Sequence, residues 1–294
     1  MTGPVLVGVD GSLSAENAVR WAARTALVRR LQLRLVHAVP RITAYTPVTV
    51  PRSFEEALKD QGRQWLEQGA VLARQEAPGV EVATDLLDGV PAAVLVDLSR
   101  SARMVVLGSR GLGGFTGLLV GSVAVTLAAH GHCPVVVVRG DPLDAPPPET
   151  GPVVVGVDGT AASEAAVAFA FDEASRWDTP LVAVHSWNDA VSDALWGLAA
   201  VFVDWEAIEA DGQQLLAQRL AGWQEQYPDV SVRQVVTRGA AARALLDQAG
   251  GARLVVVGSR GRGGVRGMLL GSTSQALLHH APCPVAVVRP QPGR

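Results

Sequence analysis

Met104-Val-Val-Leu107-Gly108-Ser109-Arg110-Gly111, nine residues, then Gly121-Ser122: the chain runs this stretch twice. It returns as Leu254-Val-Val-Val257-Gly258-Ser259-Arg260-Gly261, nine residues, then Gly271-Ser272. In each copy an apolar run without polar alternation reads as a buried strand. The glycine-rich part reads as a loop, and Ser122 to His130 and Ser272 to His280 as the helices that follow. A strand that enters a glycine loop and then a helix gathers backbone N–H groups and a positive helix end around one point, which suits phosphate. Glycine lets backbone approach a ligand that any Cβ would fend off. A tight turn would use the same glycines. Two copies at one spacing favour a ligand loop.

The duplication extends well beyond the loops. Gly3 to Val39 aligns without a gap on Gly151 to Trp187, an offset of 148, and Ala102 to Arg139 on Ala252 to Arg289, an offset of 150. Two additional residues therefore fall in the middle of the second half. The 294 residues suit two domains. They are expected at 1–140 and 151–290, joined by a stiff, proline-rich linker over 141–150. In the first half, Val5 to Val9, Leu33 to Val39, Val80 to Leu87, Met104 to Leu107 and Pro134 to Val138 read as strands. Ala15 to Arg29, Phe54 to Gln75, Ala92 to Ser101 and Ser122 to His130 read as helices. Ser14 is the expected cap of the first helix, with Ala18, Trp21, Ala22 and Thr25 on its buried face. Arg41 to Pro51 reads as a loop. The second half repeats the pattern. Strand and helix alternate, so each half is expected to be an α/β domain with a five-stranded parallel sheet, right-handed crossovers and helices on both faces.

Bulk properties exclude several classes. A net charge of −3 argues against nucleic acid as the main partner. No apolar run approaches the ~20 residues of a membrane helix. The chain goes straight into Val5-Leu6-Val7-Gly8-Val9-Asp10, so no signal peptide is expected. Cys133 and Cys283 hold equivalent places, each before a proline, and read as small core residues. A cytoplasmic protein is the natural expectation. Lys59 is the only lysine, and its polar surroundings offer no Walker A loop. His37 and His185 match each other inside apolar strand ends and read as core residues. His130, His132, His279 and His280 lie at helix carboxyl ends, where cations are favoured. Trp196, Trp205 and Trp223 read as helix-packing residues, with a partner surface as the alternative. No Ser/His/Asp or Cys/His constellation emerges from the spacing.

Ligands of open α/β sheets bind beyond the carboxyl ends of the strands, where strand order reverses. Two strand ends here carry unusual residues. One is the glycine loop; the other is Gly8-Val9-Asp10-Gly11-Ser12, matched by Gly156-Val157-Asp158-Gly159-Thr160. If the first and fourth strands are neighbours, Asp10 faces Gly108 to Gly114. It could accept ribose hydroxyls there, or cap the next helix. The loop is Gly-x-x-Gly, so it is not the dinucleotide fingerprint.

Gly-x-x-Gly-x9-Gly-Ser after a fourth strand, with Val-Gly-Val-Asp-Gly-Ser at the first, resembles the universal stress protein family. Leu35-Val36-His37-Ala38-Val39 and the close at Cys133-Pro134 to Val138-Arg139 are similar too. The likeness covers both halves, as in a tandem member of the ATP-binding branch. It implies Rossmann-like domains of the adenine nucleotide α-hydrolase type and one ATP per domain; Mg²⁺ is expected with it because ATP carries that ion. It places Gly8 and Asp10 at the ribose and the Ala38 backbone at the adenine. Gly108, Ser109, Arg110, Gly111, Leu112, Gly113, Gly114, Gly121, Ser122 and Val123 would surround the phosphates. The second site would use Gly156, Asp158, Ser186, Gly258, Ser259, Arg260, Gly261, Arg262, Gly263, Gly264, Gly271, Ser272 and Thr273. Arg262 and Arg266 stand where the first half has Leu112 and Thr116, so the second site is expected to bind more tightly. The hydroxyls of Ser272, Thr273 and Ser274, against that of Ser122 alone, point the same way. The family also implies that the halves pair as a pseudo-symmetric dimer through Val135 to Val138 and Val285 to Val288; related single domains pair through this strand, which leaves a homodimer open.

The expected function is a nucleotide-regulated binding or signalling module acting on an unidentified protein partner. The site offers backbone donors but no evident base to position a water. Two rivals stay open: a weak ATPase or nucleotidyl transferase of the same fold, and a partner-binding protein whose loops are vestigial.

Overall fold

Val5, Leu6 and Val7 are all but inaccessible to solvent, as a strand covered on both faces must be. They open β1 (Val5–Gly8), followed by α1 (Leu13–Arg29), β2 (Leu33–Val39), α2 (Arg52–Glu76), β3 (Val82–Asp88), α3 (Pro91–Leu98), β4 (Met104–Gly108), α4 (Ser122–His130) and β5 (Val135–Val138). The second series is β6 (Val153–Gly156), α5 (Ala161–Arg176), β7 (Leu181–Ser186), α6 (Trp205–Gln226), β8 (Val232–Thr237), α7 (Ala241–Ala249), β9 (Leu254–Gly258), α8 (Ser272–His280) and β10 (Val285–Val288). The computed structural model describes residues 3–40, 52–111, 120–139, 145–187, 205–262 and 269–290. It forms two compact units, Met1–Pro147 and Pro148–Arg294. The loop expected over 41–51, residues 141–144 of the linker and Trp196 lie outside the described residues.

Within the first unit the strands lie in the order β3-β2-β1-β4-β5, all parallel. Within the second the order is β8-β7-β6-β9-β10, again all parallel. Each unit is therefore a Rossmann-like α/β domain. The inner strands β4 and β9 are fully buried up to their final glycines, whereas the outer strands β3 and β8 are half exposed. α1 packs on α2, and α3 on α4, in separate layers. Strand order reverses between β1 and β4, and between β6 and β9, which opens a crevice at their carboxyl ends.

Most expected elements appear within two residues of their ends, and α4 and α8 match throughout. One cap is corrected: α1 is capped by Ser12, whose side chain accepts from Ala15 N, and not by Ser14. Ser14 lies inside the helix, buried. α3 stops at Leu98, short of Ser101. Cys133 and Cys283 are both buried and unbridged. Burial pushes the Cys133 thiol up to about 12, because a thiolate would lose its water.

Candidate functional site

At the end of β1 the chain must turn sharply into α1. Gly11 and its counterpart Gly159 take left-handed backbone angles, φ 81° and 80°, which glycine adopts without strain. Asp10 braces the turn: its Oδ1 accepts from Ser12 N at 3.1 Å and Ser12 Oγ at 2.7 Å. Asp158 does the same with Thr160 N at 2.9 Å and Thr160 Oγ1 at 2.7 Å. Thr160 caps α5 as Ser12 caps α1. The aspartate thus supports the cap rather than being it, and one carboxylate oxygen is fixed by the turn.

The other oxygen faces the glycine loop. A Cβ placed on Gly261 would lie 2.6 Å from Asp158 Oδ2, and one on Gly111 would likewise strike Asp10 Oδ2. Asp158 Oδ2 also accepts the Arg262 N–H at 3.2 Å. β1 pairs with β4 and β6 with β9, so each carboxylate stands across its crevice from the loop, as the sequence led us to expect.

Each loop then folds back. Gly121 N donates to Ser109 O at 2.7 Å, and Gly271 N to Ser259 O at 2.8 Å. These glycines are the N-caps of α4 and α8, and neither helix receives a side-chain cap. α1 and α5, which open on the other edge of the same crevices, do receive one. The first-turn N–H groups at Ser122, Val123, Ser272 and Thr273 are therefore left without a capping side chain, at a positive helix end.

Other expected residues serve packing. A Cβ on Gly108 would sit 2.6 Å from the Ser14 backbone, and one on Gly258 would sit 2.8 Å from that of Ala162. These two glycines let α1 and α5 lie directly on the strand ends. Gly8 and Gly156 face Leu95 and Leu245. Ser109 and Ser259 are buried, while Arg110 is half exposed and Arg260 exposed. Ala38 is buried at the end of β2; its counterpart Ser186 gives its hydroxyl to Gly239 O. His37 Nδ1 lies 2.7 Å from Val9 O, and His185 Nδ1 2.7 Å from Val157 O. A carbonyl can only accept, so both rings donate from Nδ1 and tie β2 and β7 to the crevice turns. Leu112, Gly113, Gly114, Gly263 and Gly264 lie outside the described residues, as do Thr116 and Arg266.

Ser14, Trp65 and Arg219 were not read as site residues from the sequence, and Ser274 takes another role than the one expected. Ser14 Oγ accepts the Arg110 N–H at 3.3 Å and lies 3.4 Å from Ser109 Oγ, tying the first loop to α1. The aligned second half has Ala162 there, a mismatch that could have flagged it. Ser274 is buried and donates to Gly258 O at 2.8 Å, so its hydroxyl anchors the second loop from below and is withdrawn from the three counted for phosphate. Trp65 of α2 lays its indole edge on Gly11, whereas Arg262 and Arg219 stand over Gly159.

Comparison with known proteins agrees with this architecture. The universal stress protein family profile matches residues 1–139 and 149–289. Universal stress protein Rv2623 of Mycobacterium tuberculosis is 43% identical over 289 residues, covering 97% of this chain and 96% of that protein. Universal stress protein Rv2005c of the same organism is 44% identical over 290 residues, with 97% and 96% covered. The crystal structure of a universal stress protein from Archaeoglobus fulgidus superimposes with a TM-score of 0.69 at 19% identity, over 98% of this chain and 99% of that one, a likeness of fold. With both halves matched, this chain belongs to the universal stress protein family, as a tandem of two such domains.

Proposed function

We propose that each domain binds one ATP, carried with its Mg²⁺, and that the bound nucleotide regulates association with a protein partner. One observation carries the reading: in both halves a braced carboxylate faces a loop glycine so closely that any Cβ there would crowd it, beside a helix start with no capping side chain. A polyphosphate fits the donor set. The N–H groups at the start of α4 or α8, and those of the loop, would receive phosphate oxygens. Asp10 and Asp158 would offer Oδ2 to ribose hydroxyls. Arg110, Arg260 and Arg262 would add charge-assisted contacts.

Among the described residues, one oxygen of each aspartate is taken by its turn, and His37 and His185 are tied through Nδ1 to carbonyl oxygens. This favours a binding module over rapid turnover, because phosphoryl transfer to water needs a group that positions it. Mass spectrometry of nucleotide released from the purified chain tests the proposal. ATP or ADP at about two per chain is expected. Absence of nucleotide, with no uptake of added ATP, would refute it. Product formation over hours distinguishes a weak ATPase.

A further inference from the structure

At the mouth of the second crevice two guanidinium groups converge. A Cβ placed on Gly159 would lie 3.3 Å from Arg262 Nη2 and 3.6 Å from Arg219 Nη2. Arg262 comes from the glycine loop, Arg219 from α6. Two carboxylates are nearby. Asp158 is held by its turn and by the Arg262 N–H. Glu164 Oε2 lies 3.7 Å from Arg219 Nη1, and its Oε1 accepts from Trp223 Nε1 at 3.3 Å.

The first half is built differently at this place. Gly62 and Gly212 both abut the Cδ2 of a histidine ring, and Leu66 and Leu216 are both buried, so α2 and α6 correspond at an offset of 150. Arg219 then stands opposite Gly69, and Leu215 opposite Trp65. Gly69 faces Leu35, whose counterpart in the second half is Ala183. The small residue has moved from helix to strand, which leaves room for a long side chain at position 219. Over Gly11 lies the neutral indole of Trp65, and Glu16, the counterpart of Glu164, pairs with Arg20 along its own helix at 3.5 Å.

We infer that Arg219 reads phosphate charge: with Arg262 it clamps the outer phosphates of a nucleotide in the second site, so that this half prefers triphosphate to monophosphate more steeply than the first. The inference rests on the nucleotide reading above. Arginine pairs bidentately with phosphate, and two converging forks gain with each added negative charge. Both side chains are exposed, so screening holds the gain below that of a buried pair.

The test uses the full chain carrying Gly111→Val, which leaves the second site, titrated calorimetrically with AMP, ADP and ATP. Adding Arg219→Gln should weaken ATP about threefold to tenfold while AMP changes less than about twofold. Arg219→Lys should recover part of the ATP affinity at low salt. In the Gly261→Val chain, Arg219→Gln should change nothing. Equal weakening of AMP and ATP, or no change in either, overturns the inference and leaves the nucleotide reading standing. A Gly111→Val chain that binds no nucleotide overturns both.

Discussion

Where they leave the strand and enter the helix, the two glycine loops are built alike, with Gly121 N on Ser109 O and Gly271 N on Ser259 O, but they are fastened from opposite sides. The first is held from α1, where Ser14 accepts the Arg110 N–H. The second has Ala162 at that place and is held by Ser274 of α8, which donates to Gly258 O, and by Asp158, which accepts the Arg262 N–H. The first half has Ala124 where the second has Ser274. One hydroxyl has been exchanged for another across the strand end. Duplication thus preserved what the loop needs, a fixed strand end, and left free which neighbour supplies it. The mouths differ more: indole over Gly11, guanidinium groups over Gly159. The shared frame predicts that both halves bind the same class of ligand, and the differing mouths predict that they do so unequally.

The largest effect is expected where the halves are most alike. Gly108→Val and Gly258→Val drive a side chain into the backbone of the helix above, which cannot move away cheaply. Each should destabilise its own half by about 3 kcal/mol or more. Hydrogen exchange in β5 and β10, read separately, should show the loss confined to the mutated half. Gly271→Ala is the control: its nearest neighbour would be 3.4 Å away, and the cost should stay below about 1 kcal/mol. A stable Gly258→Val chain would break the shared frame.

Next comes the inequality between sites. The second should bind ATP about threefold to tenfold more tightly than the first, when each is measured with the other blocked. Arg262→Leu, which copies the first loop, should narrow that gap. Equal affinities would remove the functional half of the comparison.

The anchoring serines should matter less. Ser14→Ala removes the contacts with the Arg110 N–H and with Ser109 Oγ, and Ser274→Ala the bond to Gly258 O, each a loss of about 1 kcal/mol. The sharper readout is local: in Ser14→Ala the Arg110 amide should exchange faster, while the Arg260 amide, in the half that has Ala162 at the aligned position, should not change. The smallest effect is a null one. With its thiol near 12, Cys133 is thiolate in only about one molecule in ten thousand at pH 8. The native chain should therefore resist alkylation there. Mapping the label on Cys133 and Cys283 in rising urea then reports which half opens first.

The frame was legible in the sequence because buried parallel strands write continuous apolar runs and because the repeat prints each signal twice. α4 and α8 were read to the residue, since the glycine before each marks a start and a histidine marks each end. The first cap was misread for a local reason. Ser12 and Ser14 are both good caps, and the choice is made by the Asp10-Gly11 turn, which orients Ser12. Ser274 was counted with Ser272 and Thr273, but two residues along a helix is about 200° of rotation, which carries its hydroxyl to the strand below. Trp65 and Arg219 were out of reach. Each lies more than 50 residues along the chain from the glycine it covers, and nothing in local pattern says which side chain closes a crevice.

The central claim, that each half is a nucleotide site built on its glycine loop, meets its most direct test in calorimetric titration of ATP. Four chains are compared: wild type, Gly111→Val, Gly261→Val and the double variant. A Cβ at either position would collide with the facing carboxylate and fill the approach to the loop. The account predicts about two, one, one and no ATP per chain, with losses on the order of a hundredfold in the blocked half. A double variant that binds ATP with wild-type stoichiometry and affinity would contradict it.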